Sequence, residues 1–491
     1  MRRPERGRIA VPSLIAGGLM ALSLPPWGWW PLALLGAALL YWRLAGLRLR
    51  NRLWAGWLAG LGCCGPGLMW ARTFNWYGAV ILILLEALFV AAAAMLTPAQ
   101  RGRAPAFIAA STVLEACRMT WPFGGLPIGG VFLGQADGPL LQLARLGGPL
   151  LLTAGVYAGG VGLATLLAAR RPGRGLAILG GLALLTLVAA TLPDGGAPVR
   201  SITVATVQGG GRRGVDKADV SPATVLFNQL AAMEQVARRR PAPDLVLWPE
   251  DVIGLDIPLP GSSEATLMSQ TARQLKTTLV VGITEPAGQT KFRNEIVAWG
   301  PSGRVVATFE KVHRVPFGEY VPYRSLIGHL ADISGVPADA IPGHGTGLLH
   351  TPAGPLGTLV SFEVFYANRS RTSVRAGAQL LIVPTNTSSY VTAQVPTQEV
   401  AADAVQAVET GRDLVQSAPT GYSTVVTHRG VVLRRSVLAV RQDLFATVPL
   451  RRGFTPYDHL GDLPYLVLFA LIWAAGWRRE RRAQRRVETY S

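Results

Sequence analysis

Three segments of the sequence end in side chains that are able to do chemistry together. The first, LVLWPED, places Glu250 directly after a run of strand-forming residues. The second places Lys311 after another such run, and the third, VSFEVF, contains Ser361. A carboxylate accepts the proton of a nucleophile, an ammonium group stabilises an oxyanion, and a hydroxyl group is able to carry an acyl group. Together the segments predict a nucleophilic site, although each motif alone is also typical of a solvated strand end.

Two further glutamates accompany these residues. Glu319 lies in VPFGEYVP, a loop shaped by Pro and Gly that follows Lys311, and Glu363 stands two residues after Ser361. Ser361 lies in LVSFE, which lacks the G-x-S-x-G pattern of a nucleophile elbow. His313 is the only histidine near these motifs, and we interpret it as a structural residue.

The region that contains the motifs, from residue 198 to about 450, alternates strand-like and helix-like segments. This alternation predicts an α/β domain in which helices cover a sheet. Strands are predicted at Ser201–Gln208, Asp244–Pro249, Thr278–Thr284, Glu295–Gly300, Arg304–Phe309, Leu356–Phe365, Gln379–Pro384 and Ser423–Thr427. Helices are predicted at about 221–239, 261–276 and 396–415.

The rest of the chain has the composition of a membrane protein. Of its 491 residues, 49% are hydrophobic and only 15% are charged, which is unusual for a soluble protein. Apolar stretches near the ~20 residues that a bilayer core requires lie at about 8–25, 31–46, 53–71, 77–97, 105–121, 149–169, 175–193 and 463–477. The Gly- and Pro-rich stretch 122–148 is predicted to be an extramembrane or re-entrant connection.

Arginines follow alternate spans and predict their orientation. They are Arg2, Arg3, Arg6, Arg8, Arg43, Arg48, Arg50, Arg52, Arg101, Arg103, Arg170, Arg171, Arg174, Arg478, Arg479, Arg481, Arg482, Arg485 and Arg486. By the positive-inside rule both termini are cytoplasmic, and the α/β domain is extracytoplasmic. The formal net charge of +18 is then explained by attraction to anionic lipid head groups, so we predict no nucleic-acid partner.

Some polar and reactive residues lie inside the predicted spans. The cysteines Cys63, Cys64 and Cys117 are all there, so none is available to act in the exported domain. We interpret them as packing residues. Glu86 and Glu115 also lie in spans, where a carboxylate is costly and faces other helices or a cavity. Two roles stay open for Glu86: a functional one, and hydrogen bonding between helices.

At this point the chain resembles the apolipoprotein N-acyltransferase family of bacterial membrane proteins, which belongs to the nitrilase superfamily. The resemblance covers the span layout, Leu126-Pro127 and the GQADGPL stretch. It continues through Trp248-Pro249-Glu250, the VPFGEYVP loop, Ser361-Phe362-Glu363, Asn386 and the helix AVETGRD. The VPFGEYVP loop after Lys311 is the most specific of these motifs.

The resemblance implies a nitrilase-like αββα sandwich domain, inserted between transmembrane helices seven and eight of a polytopic helical membrane domain. The expected domains are 1–196 (about seven spans), 197–452 (extracytoplasmic, carbon-nitrogen hydrolase type) and 453–491 (last helix and basic cytoplasmic tail). It implies a bacterial inner-membrane enzyme that transfers an acyl chain from a phospholipid to the diacylglyceryl-cysteine of a lipoprotein.

The resemblance also implies roles for single residues. Glu250 would be the general base, Lys311 the oxyanion stabiliser and Ser361 the acyl carrier. The supporting residues would be Glu319, Glu363 and Asn386.

The sequence departs from the family pattern at two places near the site. The family cysteine is replaced by Ser361, and the usual SNDAWFG segment reads TNTSSYV from Thr385, which keeps only Asn386 of its polar core. The pKa of a serine hydroxyl is far higher than that of a thiol, so a serine nucleophile normally needs an adjacent base. Several functions therefore stay open. The protein is an active acyltransferase, or an inactive homologue that binds lipid or lipoprotein or assists a partner membrane enzyme. A nitrilase-type hydrolase, or an acyltransferase with a different acceptor, is the remaining alternative.

No cofactor or metal is expected from the sequence. His344 and His350 are six residues apart in a Gly-rich loop, without the spacing of a metal-binding helix. The Gly209–Gly211 run is not followed by the Lys-Ser/Thr pair of a phosphate-binding loop.

Overall fold

The computed structural model describes residues 3–168, 172–212, 214, 221–329 and 332–490. The chain forms two compact units. The helical unit comprises Met1–Leu192 and His459–Ser491, and the α/β unit comprises Pro193–Asp458.

A helix occupies each of the eight segments that the sequence predicts as spans. These helices are α1 (Arg3–Ser23), α2 (Pro31–Arg43), α3 (Leu49–Gly67), α4 (Trp76–Met95), α5 (Arg103–Arg118), α6 (Ala144–Leu167), α7 (Pro172–Thr191) and α14 (Leu463–Tyr490). Within the described residues, three stretches are long and apolar enough to cross a bilayer: Trp76–Met95, Pro139–Leu167 and Pro172–Thr191. Gly7–Ser23 and Pro31–Arg43 are shorter apolar helices.

Arg118 contacts both glutamates that lie inside the predicted spans. Its guanidinium lies 3.2 Å from Glu86 Oε2 and 2.7 Å from Glu115 Oε1, and all three side chains are largely buried. Arg118 also donates to the carbonyl oxygens of Leu126 and Ile128. Of the two roles left open for Glu86, these contacts favour a structural one, in which α4, α5 and the following loop are held together.

The α/β unit contains two sheets. Its strands are β1 (Pro198–Gln208), β2 (Leu245–Leu247), β3 (Ile253–Gly254), β4 (Thr278–Pro286), β5 (Lys291–Trp299), β6 (Val305–Glu310), β7 (Asp339–Ala340), β8 (Leu348–Thr351), β9 (Gly354–Thr358), β10 (Leu380–Pro384), β11 (Leu414–Ser417), β12 (Thr424–Val426), β13 (Val432–Arg435) and β14 (Gln442–Arg451). The first sheet has the order β14-β1-β2-β4-β5-β6, with β3 beside β4 and β7 beside β5. The second has the order β13-β12-β11-β10-β9-β8.

The helices of this unit are interspersed among its strands along the chain. They are α8 (Pro222–Arg238), α9 (Ser263–Leu275), the short α10 (Arg324–Ile327), α11 (Ala367–Arg375), α12 (Gln394–Thr410) and the short α13 (Pro456–Leu460). Helices α8 and α9 contact strands of the first sheet, and α11 and α12 contact strands of the second.

Alternating residues of the same strands pack into two different cores. On β1, Ile202 and Val204 pack into the core between the sheets. Ala205 and Val207 join the core between the first sheet and its helices. Because successive side chains of a strand point to opposite faces, a strand buried on both faces supplies both cores. The layer order is helices, sheet, sheet, helices, which agrees with the expected α/β class.

Two predicted elements end earlier than the sequence indicates. The strand predicted at Leu356–Phe365 stops at Thr358, and Ser361–Phe365 forms a 3-10 turn. The helix predicted at 396–415 stops at Thr410 because Gly411 takes a left-handed φ of 61°, and β11 follows.

Candidate functional site

One ammonium group joins two glutamates in the interior of the α/β unit. Lys311 Nζ lies 2.8 Å from Glu250 Oε1 and 2.8 Å from Glu319 Oε1. Lys311 is 2% exposed and Glu250 is 4% exposed. A buried charge is tolerated when it is paired and hydrogen-bonded, and this group meets both conditions. The structure therefore brings three of the residues predicted from the sequence into direct contact.

Asn294 completes this cluster and was not predicted from the sequence. Its Nδ2 donates to Glu250 Oε1 at 2.8 Å and to Glu319 Oε1 at 3.0 Å. The Lys311 N–H donates to the Asn294 carbonyl oxygen at 2.9 Å, because the two residues are neighbours where β5 and β6 pair. Strand pairing, which a single sequence does not reveal, is the reason that Asn294 reaches the site.

Backbone contacts fix the elements that carry the cluster. The turn before Glu250 leaves β2 and passes next to Gly282 of β4, whose N–H donates to the Pro249 carbonyl oxygen at 3.1 Å. A Cβ atom at residue 282 would overlap this backbone, so glycine is required there. Glu319 folds its own loop, because its Oε2 accepts from Val315 N at 2.8 Å.

Burial and charge shift the proton affinities of the paired groups. Burial raises the pKa of Glu250; Lys311 and Asn294 oppose this shift, and the charge of Glu319 adds to it. Burial alone would lower the pKa of Lys311, but Glu250 and Glu319 outweigh it, so the net pKa is raised and the ammonium form persists. The cluster therefore combines a strengthened base with a permanent cation.

Ser361 occupies a strained backbone position. It begins the 3-10 turn that follows β9 and has φ 49°, in the left-handed region that non-glycine residues rarely adopt. Its exposed fraction is 9%. The sequence lacks the G-x-S-x-G pattern, yet the backbone makes the sharp strand-to-turn bend that such a pattern predicts.

Glu363 fastens this bend to the cluster. Its Oε1 accepts from Val312 N at 2.9 Å and from His313 N at 3.0 Å, directly after Lys311. Its Oε2 accepts from Val360 N at 2.9 Å, directly before Ser361. One carboxylate therefore holds the segment of Lys311 against the segment of Ser361.

His313, whose backbone N–H donates to this carboxylate, stacks its ring on that of Tyr366. Their centroids are 4.3 Å apart, in agreement with a structural role for His313. Burial lowers the pKa of His313 to about 4, and the charges of Arg369 and Lys311 add to the effect. The imidazole is therefore uncharged at neutral pH.

Among the hydrogen bonds of the described residues, none joins the Asn386 side chain to the cluster. Its Oδ1 accepts from Ser388 N at 3.1 Å and forms a local turn in the segment that leaves β10. The same segment carries Tyr390, whose pKa is raised by burial and which lies within electrostatic reach of Lys311, Glu319 and Glu250. The remodelled segment 385–391 thus contributes Tyr390 to the surroundings of the site, while Asn386 shapes the turn.

Family models match segments of both units. Residues 16–162 match the family model of the apolipoprotein N-acyltransferase N-terminal domain, and residues 203–444 match that of the carbon-nitrogen hydrolases. A carbon-nitrogen hydrolase structure from Helicobacter pylori aligns with 54% of this chain and 95% of its own, at 16% identity and a TM-score of 0.41.

Curated relatives match over almost the whole chain. An apolipoprotein N-acyltransferase of Mycolicibacterium smegmatis is 30% identical over 92% of this chain and 82% of its own. That of Azotobacter vinelandii is 30% identical over 96% of this chain and 95% of its own. The two-unit organisation, the family models and these relatives lead to one assignment: the chain belongs to the apolipoprotein N-acyltransferase family.

Proposed function

We propose that this protein transfers an acyl chain from a phospholipid to the α-amino group of a diacylglyceryl-modified N-terminal cysteine, through an acyl ester on Ser361. One observation carries the proposal: Glu363 binds both the backbone before Ser361 and the backbone after Lys311. A nucleophile, an oxyanion stabiliser and a base are thereby held on connected, buried elements.

In the first step Ser361 attacks the ester carbonyl carbon of the phospholipid. Glu250 takes the proton of the hydroxyl group as the new C–O bond forms, and Lys311 stabilises the oxyanion of the tetrahedral intermediate. The bond to the glyceryl oxygen then breaks, and Glu250 returns the proton to that oxygen. A lysophospholipid leaves, and the acyl chain remains on Ser361.

In the second step the acceptor amine attacks the acyl ester. Glu250 takes a proton from the attacking nitrogen, and Lys311 again stabilises the oxyanion. The bond to Ser361 Oγ breaks as Glu250 returns the proton to that oxygen, which leaves an amide on the acceptor. The products are the N-acylated lipoprotein and the regenerated enzyme.

The raised pKa of Glu250 is what suits this site to a serine. The pKa of a hydroxyl group is many units higher than that of a thiol. Its deprotonation therefore depends more strongly on the base beside it. Burial makes Glu250 a stronger base than a solvated glutamate. Lys311 keeps its proton and remains available for the oxyanion.

We further propose that residues 197–452 lie on the extracytoplasmic side of a bacterial inner membrane, between spans seven and eight, with both termini cytoplasmic. The arginines that follow alternate apolar helices support this orientation. The phospholipid donor and the lipoprotein acceptor would both be present at that surface.

Mass spectrometry of three proteins tests the proposal. The purified full chain, Ser361→Ala and Ser361→Cys are each mixed with phospholipid and a diacylated lipopeptide. We expect the native protein and Ser361→Cys to N-acylate the lipopeptide, and Ser361→Ala not to. We also expect an acyl adduct on the fragment of the native protein that contains Ser361.

Two other outcomes would reject it. If only Ser361→Cys is active, the scaffold is competent but the natural serine is not a nucleophile. If all three proteins are silent while a second membrane enzyme co-purifies, the inactive, partner-assisting function is favoured.

A further inference from the structure

Strands β12 and β13 form a hairpin at the edge of the second sheet, and its outer strand is exposed. The turn is closed by the Thr427 N–H, which donates to the Val431 carbonyl oxygen at 2.9 Å. All five residues of the segment 431–435 are exposed, and the first three are aliphatic: Val431, Val432 and Leu433. Leu433 is 57% exposed. Three consecutive exposed aliphatic residues are typical of a contact surface.

The charge of the same hairpin has one sign. From Thr424 to Arg435 the sequence contains three arginines and no acidic residue. Arg434 and Arg435 lie beside the aliphatic residues on β13 and are exposed. Aliphatic side chains flanked by arginines match the boundary of a bilayer, where acyl chains meet phosphate groups. A purely apolar partner surface would leave these guanidinium groups without compensation.

The turn of the hairpin is joined to the segment by which the chain enters the α/β unit. Asp194 Oδ2 lies 3.4 Å from Arg429 Nη2 and 3.4 Å from His428 Nε2. Asp194 follows Thr191, the last residue of α7, by three residues, and α7 is long and apolar enough to cross a bilayer. Three residues reach at most about 10 Å. Where α7 leaves a bilayer, the turn is therefore held near the surface of that bilayer.

The chain leaves the α/β unit at the same place. Gly453 N donates to the Gly195 carbonyl oxygen at 2.9 Å, and α14 begins ten residues after Gly453. Arg412 Nη1 donates to the Gly453 carbonyl oxygen at 2.7 Å, and the next residue, Asp413, accepts from His428 N at 2.9 Å. The connections to two apolar helices thus meet beside the turn.

We propose that the β12–β13 hairpin binds the surface of the bilayer. Its three aliphatic side chains enter the boundary between head groups and acyl chains, and its arginines bind the phosphate groups of anionic phospholipids. The contact holds the α/β unit in one orientation, which two flexible connections alone do not specify. This inference requires that the apolar helices cross a bilayer, and it does not depend on acyl transfer.

Strand β6 provides a matched control. The segment 304–306 has the similar sequence Arg-Val-Val, is exposed, and lies at the edge of the first sheet. Pairing of β1, β2, β4, β5 and β6 places Val305 level with Ala205, seven residues beyond the first residue of β1. Seven residues of a strand span about 23 Å. Val305 is therefore as exposed as the hairpin residues but distant from the entry segment.

The depth of the hairpin in the bilayer is the first measurement. In a full chain whose three cysteines are replaced by alanine, Leu433→Cys or Val305→Cys provides one site for a nitroxide label. The protein is placed in nanodiscs that contain phosphatidylglycerol. Collisions of the label with oxygen, which concentrates among acyl chains, are compared with collisions with a water-soluble nickel complex. We expect the ratio of oxygen to nickel collisions at residue 433 to exceed that at residue 305 roughly threefold or more.

Hydrogen exchange of the native chain needs no label and tests the role of charge. We expect the backbone of 427–435 to exchange several-fold more slowly in phosphatidylglycerol nanodiscs than in phosphatidylcholine nanodiscs, while that of 304–306 exchanges equally in both. Arg434→Gln combined with Arg435→Gln should remove most of this difference, because each arginine near an anionic surface strengthens binding roughly fivefold. Arg304→Gln, the matched control, should leave the difference intact.

Three results would overturn the inference. The first is an equal ratio of collisions at residues 433 and 305. The second is exchange of 427–435 at one rate in anionic lipid, neutral lipid and detergent, which would mean that the protein itself covers the hairpin. The third is slow exchange that rises and falls with protein concentration, which would assign the surface to a second copy of this chain. Neither measurement uses acyl transfer, so failure of the proposed function leaves both results valid.

Discussion

The carboxylate of Glu363 accepts a hydrogen bond from the backbone N–H of Val312, at 2.9 Å. Glu363 is fully buried, and its other hydrogen bonds go to His313 N and Val360 N. The bend that carries Ser361 and the strand end that carries Lys311 are therefore held together by one side chain. This arrangement makes Glu363 a structural requirement of the site even though no step of the reaction passes through it.

Replacing Glu363 by alanine is expected to damage both stability and activity. Three backbone N–H groups lose a carboxylate acceptor, and each such bond contributes about 1.5–3 kcal/mol, so the free energy of unfolding should fall by roughly 4–9 kcal/mol. Thermal unfolding and acyl transfer measure the two effects. Glu234→Ala is the control, because that carboxylate is exposed and pairs with Arg238 on the surface. An equal effect of both substitutions would contradict the assignment.

Lys311→Met should abolish transfer and destabilise the α/β unit. Removal of the ammonium leaves the buried Glu250 and the partly buried Glu319 without their cation, although the Asn294 amide still donates to both. This loss costs about 3–5 kcal/mol, and loss of the oxyanion partner costs about 10²–10³ in rate. A second substitution separates the two effects. Glu319→Gln in the Lys311→Met background should restore part of the stability, measured by thermal unfolding, but none of the activity. Recovery of activity would show that Lys311 acts only on folding.

Asn294→Ala should move the acid limb of the pH–rate profile to higher pH. The Asn294 hydrogen bond lowers the pKa of Glu250, so its loss raises that pKa further. Glu250 must be ionised to accept a proton, and more base is therefore needed to reach the active form. Acylation rates measured between pH 5 and 9 test this, and we expect the acid limb to shift by about one pH unit. Asn228→Ala is the control, since Asn228 bonds to Gly210 and Arg441, and a shift there would argue against a local cause.

Ser361→Gly should be more stable than Ser361→Ala by about 1 kcal/mol, although both are inactive. Residue 361 has φ 49°, and only glycine adopts this conformation without strain. Chemical denaturation of the two variants gives the difference. The order should reverse at Ser373, which lies inside α11, where glycine is less stable than alanine by about 1 kcal/mol. If alanine is at least as stable as glycine at both positions, the bend is not strained.

The contact between Glu250 and Lys311 was accessible to sequence reasoning because each residue follows a strong strand signal. Glu250 and Lys311 both stand where an apolar run ends, and such ends meet at one edge of a sheet. The bend at Ser361 was not predictable in the same way. VSFEVF has the composition of a strand, and tertiary contacts of Glu363 override that preference.

The residues missed by sequence reasoning depend on pairing and burial. Asn294 lies inside β5, and its role follows from the register with β6. Such a register between strands leaves no local trace in the sequence.

The hydroxyl group of Ser361, at the bend after β9, also determines which reagents are able to modify this position. The α/β unit contains no cysteine, since Cys63, Cys64 and Cys117 all belong to the helical unit. A catalytic thiol exposed to oxidants passes to sulfenic acid and, beyond that, to forms that are not restored. Ser361 has no such chemistry available to it. Peroxide and thiol-alkylating inhibitors would therefore spare this site, whereas electrophiles that acylate or phosphonylate hydroxyl groups would reach it.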